Sequence, residues 1–281
     1  MTEPHGVLVV TCPDGPGIVA AVAGLLARTG ANIVEAQQHS EGERFFFRVE
    51  FEPNGVKPSV LESGFSSIAE QYEMDWRLRY SDRLPRFGIV VSKFEHCLVD
   101  LLWRGQAGEL QAEFPVVISN HDTLRQTVER FDIPFHHIPV TPATKQDAET
   151  RQVALLKDAG CHYVVMARYM QVLTPTFLSG FPLKVINVHH GLLPSFTGAK
   201  PYDQAWDRGV KVVGATAHYA TEVLDDGPII DQEVVFATHR DTVADLIRKG
   251  RDAERLVLAR AVRAQAEDRV LVHGRRTVVF S

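Results

Sequence analysis

Apolar residues in the first 80 positions switch between two spacings, and the switches outline a small domain. Residues 7–12 read as a strand. Ile18, Val22, Leu25 and Leu26 then recur at helical spacing, which predicts a helix over 15–29. Strands are expected over 31–38 and 44–51, joined as a hairpin at Glu41-Gly42. Leu61, Phe65 and Ile68 mark a second helix, and residues 73–80 close the set. The order βαββαβ is the ferredoxin-like split unit.

The polar segment Ser81-Asp82-Arg83-Leu84-Pro85-Arg86 interrupts this pattern. Domain boundaries are therefore expected at 1–82, with a linker over 83–86 and a second domain over 87–281. Beyond the linker, strand-like segments at 87–91, 115–119, 135–138, 163–167 and 185–188 alternate with helical ones near 96–106, 122–131, 146–159 and 174–179. That alternation predicts an α/β fold with an open, mostly parallel, doubly wound sheet. Such sheets bind ligands at the carboxyl ends of their strands.

One such end carries Val185-Ile186-Asn187-Val188-His189-His190-Gly191-Leu192-Leu193-Pro194. Residues two apart in a strand point the same way, so Asn187 and His189 share a face. Further on, His218-Tyr219-Ala220-Thr221-Glu222-Val223-Leu224-Asp225-Asp226-Gly227-Pro228 runs from a strand into a carboxylate-bearing turn. An amide and a protonated imidazole can stabilise an oxyanion, and a carboxylate can orient a nucleophile and move its proton. Each residue alone has a plainer reading: Asn187 and His189 as turn caps, Asp225 as a turn aspartate. His218 is expected behind the site rather than at the reacting atoms. His121, after Ser119-Asn120, ends another strand and either lines the cleft or packs.

Composition narrows the classes. A net charge of -5 gives no electrostatic case for nucleic acid. Cys12, Cys97 and Cys161 form no CxxC pair, which points to a reducing cytoplasm without structural zinc. The N-terminus lacks a signal-peptide pattern, and no apolar run approaches the ~20 residues of a membrane span. Asp14-Gly15-Pro16-Gly17-Ile18-Val19-Ala20 nominally fits G-x-G-x-x-A, with Glu35 near the ribose-acid spacing. Pro16 removes an N–H that a pyrophosphate would use, and the next strand turns back as a hairpin, so the dinucleotide reading is set aside. The 12 histidines include the pairs His136-His137 and His189-His190, but adjacent strand residues face opposite ways, so no metal is expected.

Asn187-Val188-His189, Leu192-Leu193-Pro194 and His218…Leu224-Asp225…Gly227-Pro228 resemble the formyltransferase fold of glycinamide ribonucleotide formyltransferase and its relatives, which use 10-formyltetrahydrofolate. Residues 1–80 resemble an ACT domain, a βαββαβ regulatory module. An ACT-like domain before this catalytic fold is similar to the formyltetrahydrofolate deformylase family. Ser92-Lys93…His96-Cys97-Leu98, Ser119-Asn120-His121, Ala167-Arg168-Tyr169-Met170-Gln171-Val172-Leu173, Gly198-Ala199-Lys200-Pro201-Tyr202 and Arg248-Lys249-Gly250-Arg251-Asp252 agree with it. Gly191, Lys200 and Gln171 depart from it, standing where Ser, Arg and Arg are more usual.

The resemblance implies catalytic roles for Asn187, His189 and Asp225, and selects Asp225 rather than Asp226. It implies a pterin cleft walled by Met170, Gln171, Val172 and Leu173 and by the turn carrying Ala220, Thr221 and Leu224. It further implies an amino-acid effector near Asp14, Gly15, Gly17 and Asn32, and a homo-oligomer. The folate is substrate, and no cofactor is called for. The implied reaction is hydrolysis of 10-formyltetrahydrofolate to tetrahydrofolate and formate, balancing the one-carbon pool and supplying purine synthesis. Two alternatives stay open: formyl transfer to an amine, and a non-catalytic amino-acid sensor. Against transfer to a ribonucleotide, the loop Val91-Ser92-Lys93-Phe94-Glu95-His96-Cys97 has no glycine with which to cradle phosphate.

Overall fold

The computed structural model describes residues 4–195 and 201–281, so Gly198 to Lys200 of the resemblance lie outside the described residues. The chain divides into two compact units. The first comprises residues up to Leu84 together with Asp268–Leu271 and Val278–Ser281, and the second comprises Pro85–Glu267 and Val272–Thr277. The sequence had placed everything after residue 86 in one domain. The C-terminal residues join the first unit because they carry apolar side chains that it lacks.

In the first unit the elements run β1 (Gly6–Pro13), α1 (Ile18–Thr29), β2 (Asn32–Glu41), β3 (Arg44–Glu52), α2 (Pro58–Tyr72) and β4 (Asp75–Tyr80). The sheet order is β2-β3-β1-β4, and its pairings are antiparallel. Alternation in β1 explains the layers. Leu8, Val10 and Cys12 pack with Val22, Leu26, Leu61 and Phe65 of the helices. Val7 and Val9 face the other way and pack with Phe46, Leu271 and Phe280. Asp268 lies in the same unit, 3% exposed and paired to Arg77 and Arg79. Helix α1 starts at Ile18, not at 15, because Gly17 has φ 91°, a left-handed conformation outside any helix.

The second unit contains β5 (Phe87–Val91), α3 (His96–Gln106), β6 (Val117–Ser119), α4 (Arg125–Glu129), β7 (Phe135–His137), α5 (Lys145–Asp158), β8 (Tyr163–Met166), α6 (Pro175–Leu178), β9 (Val185–His189), α7 (Pro201–Asp207), β10 (Val212–Tyr219), β11 (Ile229–Phe236) and α8 (Val243–Ala266). Its seven-stranded sheet has the order β11-β10-β9-β8-β5-β6-β7. Strands β5 to β9 pair in parallel, whereas β10 runs antiparallel to both β9 and β11. The sheet is thus mostly parallel with a reversed edge. All five residues of β5 are buried, as befits a central strand covered on both faces. A short hairpin of β12 (Val270–His273) and β13 (Arg276–Val279) ends the chain. Among the described residues no helix is long and apolar enough to cross a membrane.

Candidate active site

The register between β9 and β10 assembles the site. Asn187 lies opposite His218, and His189 opposite Thr216. Opposed residues of an antiparallel pair share a face, and so do residues two apart on one strand. One face of two adjacent strands therefore presents an amide, two imidazoles and a hydroxyl.

His218 fixes the amide. Its Nδ1 lies 3.0 Å from the Tyr219 carbonyl oxygen, which can only accept, so Nδ1 carries the hydrogen. Its Nε2 then offers a lone pair, and Asn187 Nδ2 donates to it at 3.1 Å. The amide's second N–H is left for substrate. Burial lowers the pKa of His218 below the ordinary histidine value, and nearby His189 adds to the fall. The Tyr219 carbonyl and Asp225 pull the other way. A neutral ring is what the acceptor role requires.

Asp225 reaches the same face from the turn after β10. Its Oδ2 lies 3.2 Å from His189 Nδ1, and its side chain is only 6% exposed. Its backbone is left-handed, φ 57°, a conformation that aspartate tolerates better than most residues. The turn closes through the Tyr219 N–H, which donates to the Pro228 carbonyl at 2.9 Å. Gly227 makes that closure possible, because a Cβ there would lie 1.7 Å from the Tyr219 oxygen. Asp226 turns away and pairs with Arg275.

Several supporting groups carried no sequence signal. Thr216, fully buried, donates to the Gly191 carbonyl at 2.8 Å and accepts from the Leu193 N–H at 3.1 Å. Gln232 on β11 donates to Thr216 Oγ1 and to the Leu193 carbonyl, both at 3.0 Å. Together they latch the turn that follows His189. A Cβ at Gly191 would stand 3.0 Å from His189 Nε2 and 3.3 Å from Pro201 Cβ, so any side chain there would crowd the imidazole. Ser92 donates to Asn120 Oδ1 at 2.7 Å and accepts from the Met170 N–H at 3.0 Å, tying the segment after β8 to two other strand ends.

The expected cleft walls are partly open and partly core. Met170 and Val172 are 53% and 50% exposed, and Leu224 is 56% exposed. Gln171, Ala220 and Thr221 are half-buried, and Thr221 Oγ1 donates to the Val223 carbonyl. Leu173 is a core residue, packed in the cluster that also holds Ala220. The charges acting on the His121 ring are Lys93 and His137.

A second polar cluster adjoins the site. The His190 ring lies 5.3 Å from that of His189 and 6.1 Å from that of Tyr202. Burial, then Arg168, lower the His190 pKa to about 4. Tyr202 donates to Glu254 Oε1 at 3.2 Å, and Glu254 Oε2 lies 2.7 Å from His96 Nε2 and 3.4 Å from Arg168 Nε. Glu254 is 1% exposed. His96, Cys97 and Glu254 bring three potential metal donors within 4.8 Å of one another. The Arg168 guanidinium already supplies a positive charge there, and burial raises the Cys97 thiol well above its ordinary pKa. The donor set therefore suits an internal ion pair better than a metal.

In the first unit the Asp14 N–H donates to the Glu43 carbonyl at 2.9 Å, and Asn32 Nδ2 to Glu52 Oε2 at 3.2 Å. Gly15 is exposed with open space around it, and Gly17 faces the Tyr72 hydroxyl.

Residues 86–262 match the formyl transferase family model, and residues 6–62 match the ACT domain model. The chain is 48% identical to formyltetrahydrofolate deformylase of Bacillus subtilis over 99% of its own length and 95% of that protein's. It superposes on the crystal structure of a formyltetrahydrofolate deformylase from Pseudomonas syringae pv. tomato with a TM-score of 0.97, 46% identity and coverage of 100% and 96% of the two chains. Glycinamide ribonucleotide transformylase 1 from Symbiobacterium toebii aligns over 73% of this chain and 98% of its own, with TM-score 0.68 and 30% identity.

Proposed function

Because the chain belongs to the formyltetrahydrofolate deformylase family, we propose that it hydrolyses 10-formyltetrahydrofolate to tetrahydrofolate and formate, with Asn187, His189 and Asp225 as its reacting groups. The observation that carries this assignment of residues is the convergence of three side chains on one face: an amide held by His218, an imidazole, and a carboxylate 3.2 Å from that imidazole. Asp225 orients a water and takes one of its protons as the oxygen attacks the formyl carbon. The carbonyl π electrons move to oxygen, where the free Asn187 N–H and, when protonated, His189 stabilise the charge. The proton passes to N10, the C–N bond breaks, and formate leaves. The acid–base and oxyanion roles fall to Asp225, Asn187 and His189, and we place no metal or cofactor in the reaction.

The pterin ring lies between the exposed Met170–Val172 wall and the turn bearing Leu224. An amino acid regulates through the first unit near Asp14, Gly15, Gly17 and Asn32. A homo-oligomer forms through the same unit, whose ten-residue edge strand β2 is almost wholly exposed, with Val34 at 50%. The protein works in the cytoplasm, where its formate supplies purine synthesis. The deciding experiment is incubation with 10-formyltetrahydrofolate without any amine. Formate equal to tetrahydrofolate supports the proposal; no turnover leaves only a sensor, and turnover that requires an amine makes the protein a transferase.

A further inference from the structure

In an open α/β sheet, the natural landing point for a charged ligand is the loop after a central strand, at the start of the next helix. Here that place is the loop from β5 into α3. An acceptor with its charged end at this loop and its amine at Asp225 would have to span the space between. That space is filled by contacts running in sequence: His189 to His190, His190 to Tyr202, Tyr202 to Glu254, and Glu254 to His96, the first residue of α3.

Three features make this a built structure. Glu254 is 1% exposed yet holds His96, Tyr202 and Arg168 around one carboxylate. Arg168 keeps Nε and Nη1 buried without a hydrogen-bond partner, so the ion pair is its main neutralising contact. Its guanidinium also lies over the Phe94 ring at 5.3 Å, and Arg251 lies over the same ring at 5.6 Å. A buried ion pair is weak evidence of stability, since apolar packing of the same volume does as well. The pair stands beyond His190 and Tyr202 from the catalytic imidazole, at the start of α3, which gives it a different use.

We propose that the His96–Glu254 pair is a specificity-determining plug. It occupies the volume an amine acceptor would need and ties up the carboxylate that would otherwise hydrogen-bond to it, so that water alone reaches the formyl carbon. This rests on the hydrolytic reading above. His96 and Glu254 do not touch the reacting atoms, so their contribution is to the choice of acceptor.

The test is a product ratio. Wild type, His96→Ser and His96→Asn are each given 10-formyltetrahydrofolate with excess glycinamide ribonucleotide, and formate and formylated ribonucleotide are quantified against an enzyme-free control. Wild type should yield formate only. His96→Ser, which opens the volume and removes one of the three partners of Glu254, should raise the share of formylated amine at least about tenfold above the enzyme-free background, the lower end of what one pocket change gives. His96→Asn, which keeps a hydrogen-bonding partner for Glu254 but is smaller, should fall between them. The ratio counts only enzyme that turns over, so partial instability of a variant leaves it unchanged. A His96→Ser protein that still makes formate only would overturn the proposal. So would wild type that formylates glycinamide ribonucleotide, or variants with wild-type melting temperature and no turnover. Failure of wild type to release formate in the amine-free assay would instead sink the hydrolytic reading itself.

Discussion

Replacing His218 tests how the oxyanion donor is held. In His218→Phe the Asn187 N–H loses its 3.1 Å acceptor. A net hydrogen bond is worth about 1 kcal/mol, whereas removing its partner and leaving a buried donor unsatisfied costs about 1–3 kcal/mol in all. At 1.4 kcal/mol per factor of ten, the productive orientation of the amide becomes roughly 10- to 100-fold rarer. Complete loss of such a donor costs ~10²–10³ in rate, so the expected fall in kcat lies at or below that limit. KM should barely move, because the missing interaction matters most as charge develops on oxygen. His218→Gln, whose side-chain oxygen can accept, should recover part of the loss. The pH dependence has a definite sign. Protonated His218 would donate at both nitrogens and confront the Asn187 N–H with a second donor. Burial lowers its pKa below the ordinary 6.5, so this loss belongs only on the acid side of that value, and His218→Gln should lack it. Steady-state kinetics across pH, with thermal melts to confirm folding, provide the assay. A His218→Phe enzyme with kcat within about threefold of wild type, or with its whole defect in KM, would refute this account of Asn187.

Asp225→Asn should keep the melting temperature and lose ~10² or more in kcat, because the turn survives but the proton acceptor does not; Asp226→Asn, which alters only the pair with Arg275, should stay near wild type. Equal losses in the two variants would mean that the turn is positioned differently. Gly227→Ala should destabilise the protein by about 3 kcal/mol or more, since its Cβ would meet the backbone oxygen of Tyr219 at 1.7 Å; denaturant unfolding and activity should fall together. His190 gives a stability prediction. Its folded pKa of about 4 lies below the ordinary 6.5, so the unfolded chain binds the proton first as pH falls. Stability should be intact above pH 6.5 and decline toward pH 4, by about 3 kcal/mol in all, and His190→Gln should flatten that decline in urea titrations across pH.

The parts of this molecule legible in the sequence are those set by local periodicity. The α1 stripe of Ile18, Val22, Leu25 and Leu26 predicted its own burial. Asn187 and His189 declared themselves by being two apart on a strand. Boundaries followed turn chemistry less closely. The helix expected over 122–131 shortens to Arg125–Glu129, because Asp122 is drawn into a turn where its carboxylate accepts from Arg125. Less visible were the contacts created by strand register and helix docking. Nothing local announces that β10 reverses to set His218 against Asn187, or that Thr216 and Gln232 latch the turn after His189. Glu254 meets His96 across 158 positions, and each looks like an ordinary helix residue until α8 packs against α3.

The return of Asp268–Leu271 and Val278–Ser281 to the first unit bears on how the chain is made. Synthesis is vectorial, and N-terminal domains commonly fold while the rest is still being translated. This N-terminal unit cannot. Val7, Val9 and Phe46 wait for Leu271 and Phe280, and Arg77 and Arg79 wait for Asp268. Until residues 268–281 have been synthesised, one apolar face of the first unit's sheet lacks Leu271 and Phe280, and Arg77 and Arg79 lack Asp268. Residues 268–281 complete a unit whose other strands are made well before them, so a nascent chain arrested before residue 268 should be bound by chaperones at its N-terminal sheet.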